Sequence, residues 1–560
     1  MGGTPRWGLD GPAPPLLNLA PEDQLRRLSR ERWDAVVVGS GAGAGAFLWR
    51  LAQRRPDARV LVLEKGPDRR GRRQRVADEV ASCRRDEFVP YVADDPHVVD
   101  LGDGPKRSYE GWTSVCVGGG TVHMGAMLFR MHPEDFDPVR RYGAPPGTTL
   151  ADWPFGYDAL RPYYDVIQTA LGLSGDTASN PFEPAGAALP YGTLPSHPIA
   201  AAFDASARAA GLHPYAAPRG ILPPGTRAAA GRSGCVECGF CGGFDCPVGA
   251  KASSPTVFLA GLPKSFVLIP GAPVVALEEG RVIVAGSTER HAFSAPQVVL
   301  GASAVESARL LLLSRSAAHP AGLGNHHGQI GAHLVTSFDT SGRATFALPD
   351  PRFPLEAEAR CFVSRALQDR YTDTGAYPKA GTLFVEREPM NPVQRSLRVA
   401  RSGPLGAALV QRLREAFLET RALLFETFAE HHPTTAGHVR LDDAAVDSFA
   451  LPSARITLPP SPAAASRCDR LSELFTSATE ALRPTRVETH HTARPSLFLQ
   501  AGTLRMGANP ERSATDSNGR VHGVPWLTVV DGGALPTMGG VPPTFTIMAN
   551  AARIADLWAP

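Results

Sequence analysis

WDAVVVGSGAGAGAFLWRLAQRRPDARVLVLEKG, residues 33–66, decides the fold. Ala35-Val36-Val37-Val38 is a short, uninterrupted apolar run, as a strand buried on both faces requires. Gly39, Gly41, Gly43 and Gly45 follow at once, with Ala44 where a small residue lets helix and strand pack closely. Gly39 permits a tight turn, and Gly41 lets backbone approach a pyrophosphate. The helix predicted over Ala46 to Gln53 would point its N-terminus at that negative charge. Arg59 to Leu63 reads as a second strand ending at Glu64, followed by Lys65, where an acid would hold a ribose hydroxyl. Strand, glycine turn, helix, strand and acid together predict a dinucleotide site. The same turn serves FAD and NAD, and an acid at 64 disfavours the extra phosphate of NADP.

Further glycine clusters lie downstream. GWTSVCVGGGTVHMGAMLFRM, residues 111–131, places Gly118 to Gly120, Thr121 and Gly125 where bare backbone and a hydroxyl can meet something flat or anionic. VVLGASAVESARLLLLS, 298–314, reads as strand, small-residue turn and helix. The C-terminal stretch holds GTLRMG (502–507), GRVHGVPWLTVVDGGALPT (519–537) and PPTFTIMANAARIADLW (542–558).

These motifs, in this order, resemble the glucose–methanol–choline (GMC) family of FAD oxidoreductases. DWPFGYDALRPYYDVIQTALGLSG (152–175) and GNHHGQIGAHL (324–334) also look like family connecting segments. The resemblance implies an α/β fold: a Rossmann-like FAD-binding domain built from discontinuous segments, plus a substrate domain with an antiparallel sheet and helices. Residues 30–132, 251–335 and 496–560 would form the FAD domain, and 133–250 and 336–495 the substrate or cap domain. Residues 1–29 would be an N-terminal extension.

Carried over by position, Gly39, Gly41, Ala42, Gly43, Ala44, Glu64 and Lys65 would hold the ADP half of FAD. Gly118, Gly119, Thr121, His123, Met124 and Gly125 would line the pyrophosphate and flavin side. Val274 resembles the position whose backbone meets the adenine. Asp531 and Gly532 resemble the pair near the ribityl chain, and Pro543 and Thr544 open the last helix beside the flavin. His123 falls where some members attach FAD covalently; a non-covalent pocket wall is the alternative.

The same resemblance locates a departure. The family's base is a histidine three residues before the glycine of the GTxRMG motif, and its partner a histidine or asparagine before the Pro-Thr of the last helix. Here those positions are Leu499 and Pro542. General base catalysis is worth about 10²–10⁴-fold, so ordinary alcohol oxidation needs a substitute group. The nearest in sequence are Gln500, which can orient but not take a proton, and His490, His491 and His522. Non-standard chemistry is therefore expected: desaturation, oxidative cyclisation, or oxidation with a displaced base. A lyase or cyclase that keeps FAD without net redox change is the alternative. Phe498, Leu499 and Pro542 suggest an apolar small-molecule substrate, with oxygen or another electron acceptor reoxidising the flavin.

SGCVECGFCGGFDCPVGAKAS, 233–253, spaces Cys235, Cys238, Cys241 and Cys246 as C-x2-C-x2-C-x4-C-P. This is one residue longer in its last gap than the bacterial ferredoxin run, which makes an iron–sulfur cluster a candidate. A zinc site or reduced structural thiols are the alternatives.

Composition narrows the rest. With 57 basic and 55 acidic residues in 560, the net charge of +2 argues against a phosphate-neutralising nucleic-acid binder. No stretch of about 18 apolar residues predicts a membrane span, and Met1 to Leu16 lacks a basic start and apolar core. A cytoplasmic protein is the expectation. Arg69 to Arg75 reads as a solvated loop, and Leu405 to His431 as a long amphipathic helix. Ala359 to Val363 and Gly381 to Val385 are strand candidates.

Overall fold

The computed structural model describes residues 19–558 apart from 69–78, 80–96, 109–113, 229–230, 338–339, 358–361, 373–378, 390 and 492–494. The basic run 69–75, the start 1–16 and most of the strand candidate at 359–363 lie outside the described residues.

A six-stranded sheet forms the foundation, ordered 520–521, 524–529, 298–300, 35–38, 60–64, 266–270. All pairs are parallel except the short 520–521 edge. Every residue of Ala35–Val38, Val60–Glu64 and Val298–Leu300 is buried, which explains why these strands read as continuous apolar runs without alternation. The helices Ala42–Arg54 and Thr544–Leu557 pack together, with Phe47 edge-on to Trp558 at 5.7 Å and Arg50 gripping Asp556 through two 2.8 Å bonds. Start, middle and end of the chain thus meet in one sheet, as the α/β expectation requires.

The cap is a second six-stranded sheet, ordered 486–491, 340–347, 420–429, 381–387, 365–367, 215–216, antiparallel throughout. The helix Pro462–Thr479 seals it with Ala464, Cys468, Leu471 and Phe475. The strand expected at 381–385 is present as Gly381–Arg387. The helix expected over 405–431 is not continuous. It stops after a short helix Ala407–Arg414 and one turn at Glu415–Glu419, and Thr420–Ala429 is a central strand. That strand is covered on both faces, so its apolar residues lose the period of two that marks a one-sided strand.

A short antiparallel pair, 335–336 with 500–501, stitches the two halves together through Val335–Ala501 and Thr336–Gln500. Among the described residues no helix is long and apolar enough to cross a membrane.

Candidate active site

The first glycine turn is shaped by close approach. Gly39 has φ +92°, and a Cβ there would lie 2.4 Å from the Gly301 carbonyl oxygen. A Cβ on Gly43 would lie 1.9 Å from the Val530 carbonyl oxygen, so the helix start touches the strand that delivers Asp531. Gly41 differs. Its φ is −68° and a Cβ would meet nothing within 4 Å, so neither backbone conformation nor protein packing demands glycine there. Open space over an uncapped helix N-terminus is what a pyrophosphate needs, and this is the observation by which the residues fit FAD.

The second cluster folds onto the first. Gly118 (φ +97°) and Gly119 (φ +54°) turn so tightly that a Cβ on Gly119 would sit 3.2 Å from Gly41 Cα. Ser40 ties the pieces: its hydroxyl donates to Glu64 Oε2 at 2.5 Å and accepts from the Gly118 N–H at 2.9 Å. Thr121 Oγ1 donates to the Gly118 carbonyl at 2.6 Å and accepts from Ser254 N, while Ser254 Oγ donates to the Ser40 carbonyl. Glu64 Oε1 accepts the Gly66 N–H at 2.8 Å. Burial pushes its pKa up against these donors. Lys65 Nζ stands 4.0 Å from Glu306, which also binds His97 at 3.0 Å. Val274 opens a strand just after Ala272, whose N–H bonds the Glu64 carbonyl.

Asp531 is buried and accepts from Ser307 Oγ at 2.5 Å and Gly533 N at 2.8 Å. Burial outweighs these bonds and raises its pKa from 3.8 to about 6. A folded value above the unfolded one means the native state holds a proton the unfolded chain releases. In the cofactor-free protein this group's contribution to stability is therefore fully present below about pH 4 and is lost as pH rises through 6. Asp531→Asn should flatten that slope in thermal melts.

The two positions carried over from the resemblance are hydrocarbon. Leu499 is half-buried, with its carbonyl accepting Ser337 N at 3.3 Å, and Pro542 is buried just before the last helix. Gln500 is buried; its Nε2 donates to the Leu497 carbonyl at 2.8 Å, and its own carbonyl lies against Gly532. His490 is exposed on the edge strand 486–491, paired with Ser341. His491 pairs with Thr340 on that same edge strand. His522 Nε2 is bonded to Ser513 Oγ at 3.0 Å in the 513–522 turn. Pro543 caps the last helix and Thr544 begins it.

Sequence reasoning missed a buried ionic cluster behind residue 542. Lys379 Nζ donates to Asp135 Oδ1 and, at 3.3 Å, to Glu430 Oε1. Tyr371 donates to Asp135 Oδ2 at 2.6 Å and accepts the Gly540 N–H at 3.0 Å, with His132 stacked on its ring at 3.7 Å. Glu430 also meets His432 at 3.3 Å, and Arg467 donates to the Glu430 carbonyl. Burial works to raise the Glu430 pKa, but Lys379, His432 and Arg467 outweigh it and hold it below the usual carboxylate range. For Asp135 burial prevails and the pKa rises. The signal available in sequence was the EHH triplet ending an apolar run at 430–432.

The cysteine loop lies against the second glycine cluster: Gly243 N donates to the His123 carbonyl at 2.8 Å. Lys251 Nζ, buried, donates to the carbonyls of Met124, Cys241 and Phe244 at 2.9, 2.7 and 2.6 Å. Burial pushes the Cys235 thiol up to about 12 and raises Cys238. Among the described residues no three of the four sulfurs lie within 4.8 Å of one another. Zinc–sulfur bonds of about 2.3 Å would bring them closer than that, so the thiols as placed do not form a zinc cage.

Residues 433–551 match the GMC oxidoreductase C-terminal family model. Paromamine 6'-oxidase of Streptomyces fradiae is 31% identical, covering 93% of this chain and 90% of the relative. 6'''-Hydroxyparomomycin C oxidase of Streptomyces lividus is also 31% identical, covering 97% and 94%. Among solved structures, pyridoxine 4-oxidase from Mesorbium loti superposes with a TM-score of 0.62 at 19% identity, over 94% of this chain and 99% of the other. Formate oxidase of Aspergillus oryzae RIB40 gives 0.61 at 14% identity, over 94% and 98%. With the glycine cradle, the two-sheet architecture and these full-length likenesses in agreement, the chain belongs to the GMC oxidoreductase family and is an FAD-dependent oxidoreductase.

Proposed function

We propose that this chain oxidises a hydroxyl group of a small molecule to a carbonyl, with the proton taken by a group displaced from the family's positions. The observation that supports this is a glycine cradle left open at Gly41 in a chain whose side chains at 499 and 542, Leu499 and Pro542, are hydrocarbon. Bound FAD supplies the two-electron acceptor. The chain's own residues do the rest. Gly39 to Gly43 and Gly118 to Gly119 admit the pyrophosphate, and Glu64, oriented by Ser40 and Gly66, offers a carboxylate to the ribose. Asp531 and Gly532 stand where the ribityl chain would pass, and Val274 near the adenine. His123 serves as pocket wall.

Two substrate classes divide this reading. The two Streptomyces relatives, named for paromamine and 6'''-hydroxyparomomycin C, favour a hydroxyl on an amino sugar. Phe498, 65% exposed, and the hydrocarbon side chains of Leu499 and Pro542 favour an apolar alcohol. Anaerobic mixing with paromamine and with benzyl alcohol separates them: bleaching of the flavin by one and not the other assigns the class. Conversion of a substrate without loss of flavin colour overturns alcohol oxidation and supports a redox-silent lyase or cyclase. Formation of a double bond or ring with bleaching supports desaturation or oxidative cyclisation.

An iron–sulfur cluster on Cys235, Cys238, Cys241 and Cys246 is a second reading, favoured by their spacing and by the loop's contact with His123 and Met124. It would pass electrons from the flavin to a partner other than oxygen. Iron and acid-labile sulfide in the purified protein support it; eight titratable thiols in the denatured protein, without iron, leave the loop structural.

A further inference from the structure

We propose, building on the alcohol-oxidation reading above, that His431 is the proton acceptor that replaces the family's residues at 499 and 542. The strand Thr420–Ala429 leaves the cap sheet and continues directly as Glu430-His431-His432. On one side Ala429 pairs with Gly381, and Gly381 Cα lies 2.4 Å from where a Cβ on Gly540 would be, two residues before Pro542. On the other side the His431 ring hydrogen-bonds the backbone of Thr336, which pairs with Gln500, the neighbour of Leu499. The segment 429–431 therefore bridges the two stretches of chain that have lost their titratable side chains.

The two histidines have different tasks. His432 belongs to the ionic cluster, bonded to Glu430 and 3.5 Å from Arg467. His431 turns to the strand pair 335–336 and 500–501. The charged groups around it are Glu430 and His432 on its own segment, Arg467 on the helix behind, and Lys379 with Asp135 beyond Glu430. Burial first, then His432 and Arg467, lower its pKa to about 3, so it stands as neutral imidazole at physiological pH. One ring nitrogen of a neutral imidazole donates and the other carries a lone pair. Its low proton affinity calls for a concerted step. With FAD bound as the two-electron acceptor, the hydroxyl proton would pass to His431 as the C–H electron pair left as hydride and the C=O bond formed. His431 would then return the proton to solvent, and oxygen or another acceptor would take the electrons from the cofactor.

His431→Gln keeps an N–H donor for the Thr336 carbonyl and removes the base. The variant should fold and retain FAD with an unchanged visible spectrum, while flavin reduction by whichever alcohol bleaches the parent falls about 10²–10⁴-fold. A readout without turnover accompanies it. In protein labelled with ¹³C at histidine Cε1, the resonance missing from the variant should shift when FAD binds the cofactor-free chain. A variant that reduces its flavin at the parent rate, or a His431 resonance indifferent to FAD, overturns the assignment. If no alcohol bleaches the parent, the oxidation reading fails, and the resonance still decides whether His431 adjoins the flavin. Should the glutamine variant not fold, His431→Asn carries the same comparison.

Discussion

Lys379→Met is expected to lower the unfolding free energy by about 3–5 kcal/mol, measured as the shift in denaturant midpoint of the holoprotein. The substitution keeps the shape of the side chain and removes its charge, leaving Asp135 and Glu430 buried at 0% and 1% exposure without their shared cation. Tyr371 and Arg467 still supply donors, but neither stands between the two carboxylates. The carboxylates should then take up protons, so the variant should recover stability as pH falls. Adding Asp135→Asn and Glu430→Gln to Lys379→Met should restore much of the loss, because a buried pair is costly to break and not costly to replace whole. A loss below about 1 kcal/mol for the single variant would mean that water reaches the cluster and screens it.

The second large effect separates two glycines two residues apart. Gly43→Val should prevent the cofactor domain from assembling, because its Cβ would lie 1.9 Å from a backbone carbonyl that cannot rotate away. Gly41→Val should leave the cofactor-free protein's melting temperature within about 2 °C of the parent, since nothing lies within 4 Å of the added Cβ. It should nevertheless weaken FAD binding at least about tenfold, because the space it fills is the ligand's. Equal behaviour of the two variants, in stability and in FAD affinity, would remove the reason for calling residue 41 a contact of the cofactor.

The foundation of the fold was legible because its signals are local. A buried parallel strand, a glycine turn and an amphipathic helix each announce themselves within a dozen residues, and 33–66 carries all of them. The cap was less so. Thr420–Ala429 reads as helix in sequence because a strand covered on both faces shows no alternation, and only its neighbours at 340–347 and 381–387, far away in sequence, make it a strand. The ionic cluster was invisible for the same reason: Asp135, Tyr371, Lys379 and Glu430 are unremarkable singly and meet only in three dimensions. A compositional hint existed. In a chain with five lysines, Lys251 and Lys379 are fully buried, and each satisfies acceptors converging from distant segments. The absence of titratable groups at 499 and 542 was legible, but the nearest histidines in sequence were the wrong place to look. His490 is at an exposed edge and His522 is bonded to the buried Ser513, whereas His431, far from Leu499 in sequence, is one strand away.

A crystal structure of the chain with FAD and an unreactive alcohol bound tests this account most directly. The prediction is FAD lying across Gly41 and Gly119, Leu499 and Pro542 facing the reactive ring, and His431 within about 3.5 Å of the alcohol oxygen as the nearest titratable side chain. Finding His490, His491 or His522 at that oxygen, or the isoalloxazine somewhere other than beside residues 118–125, would contradict it.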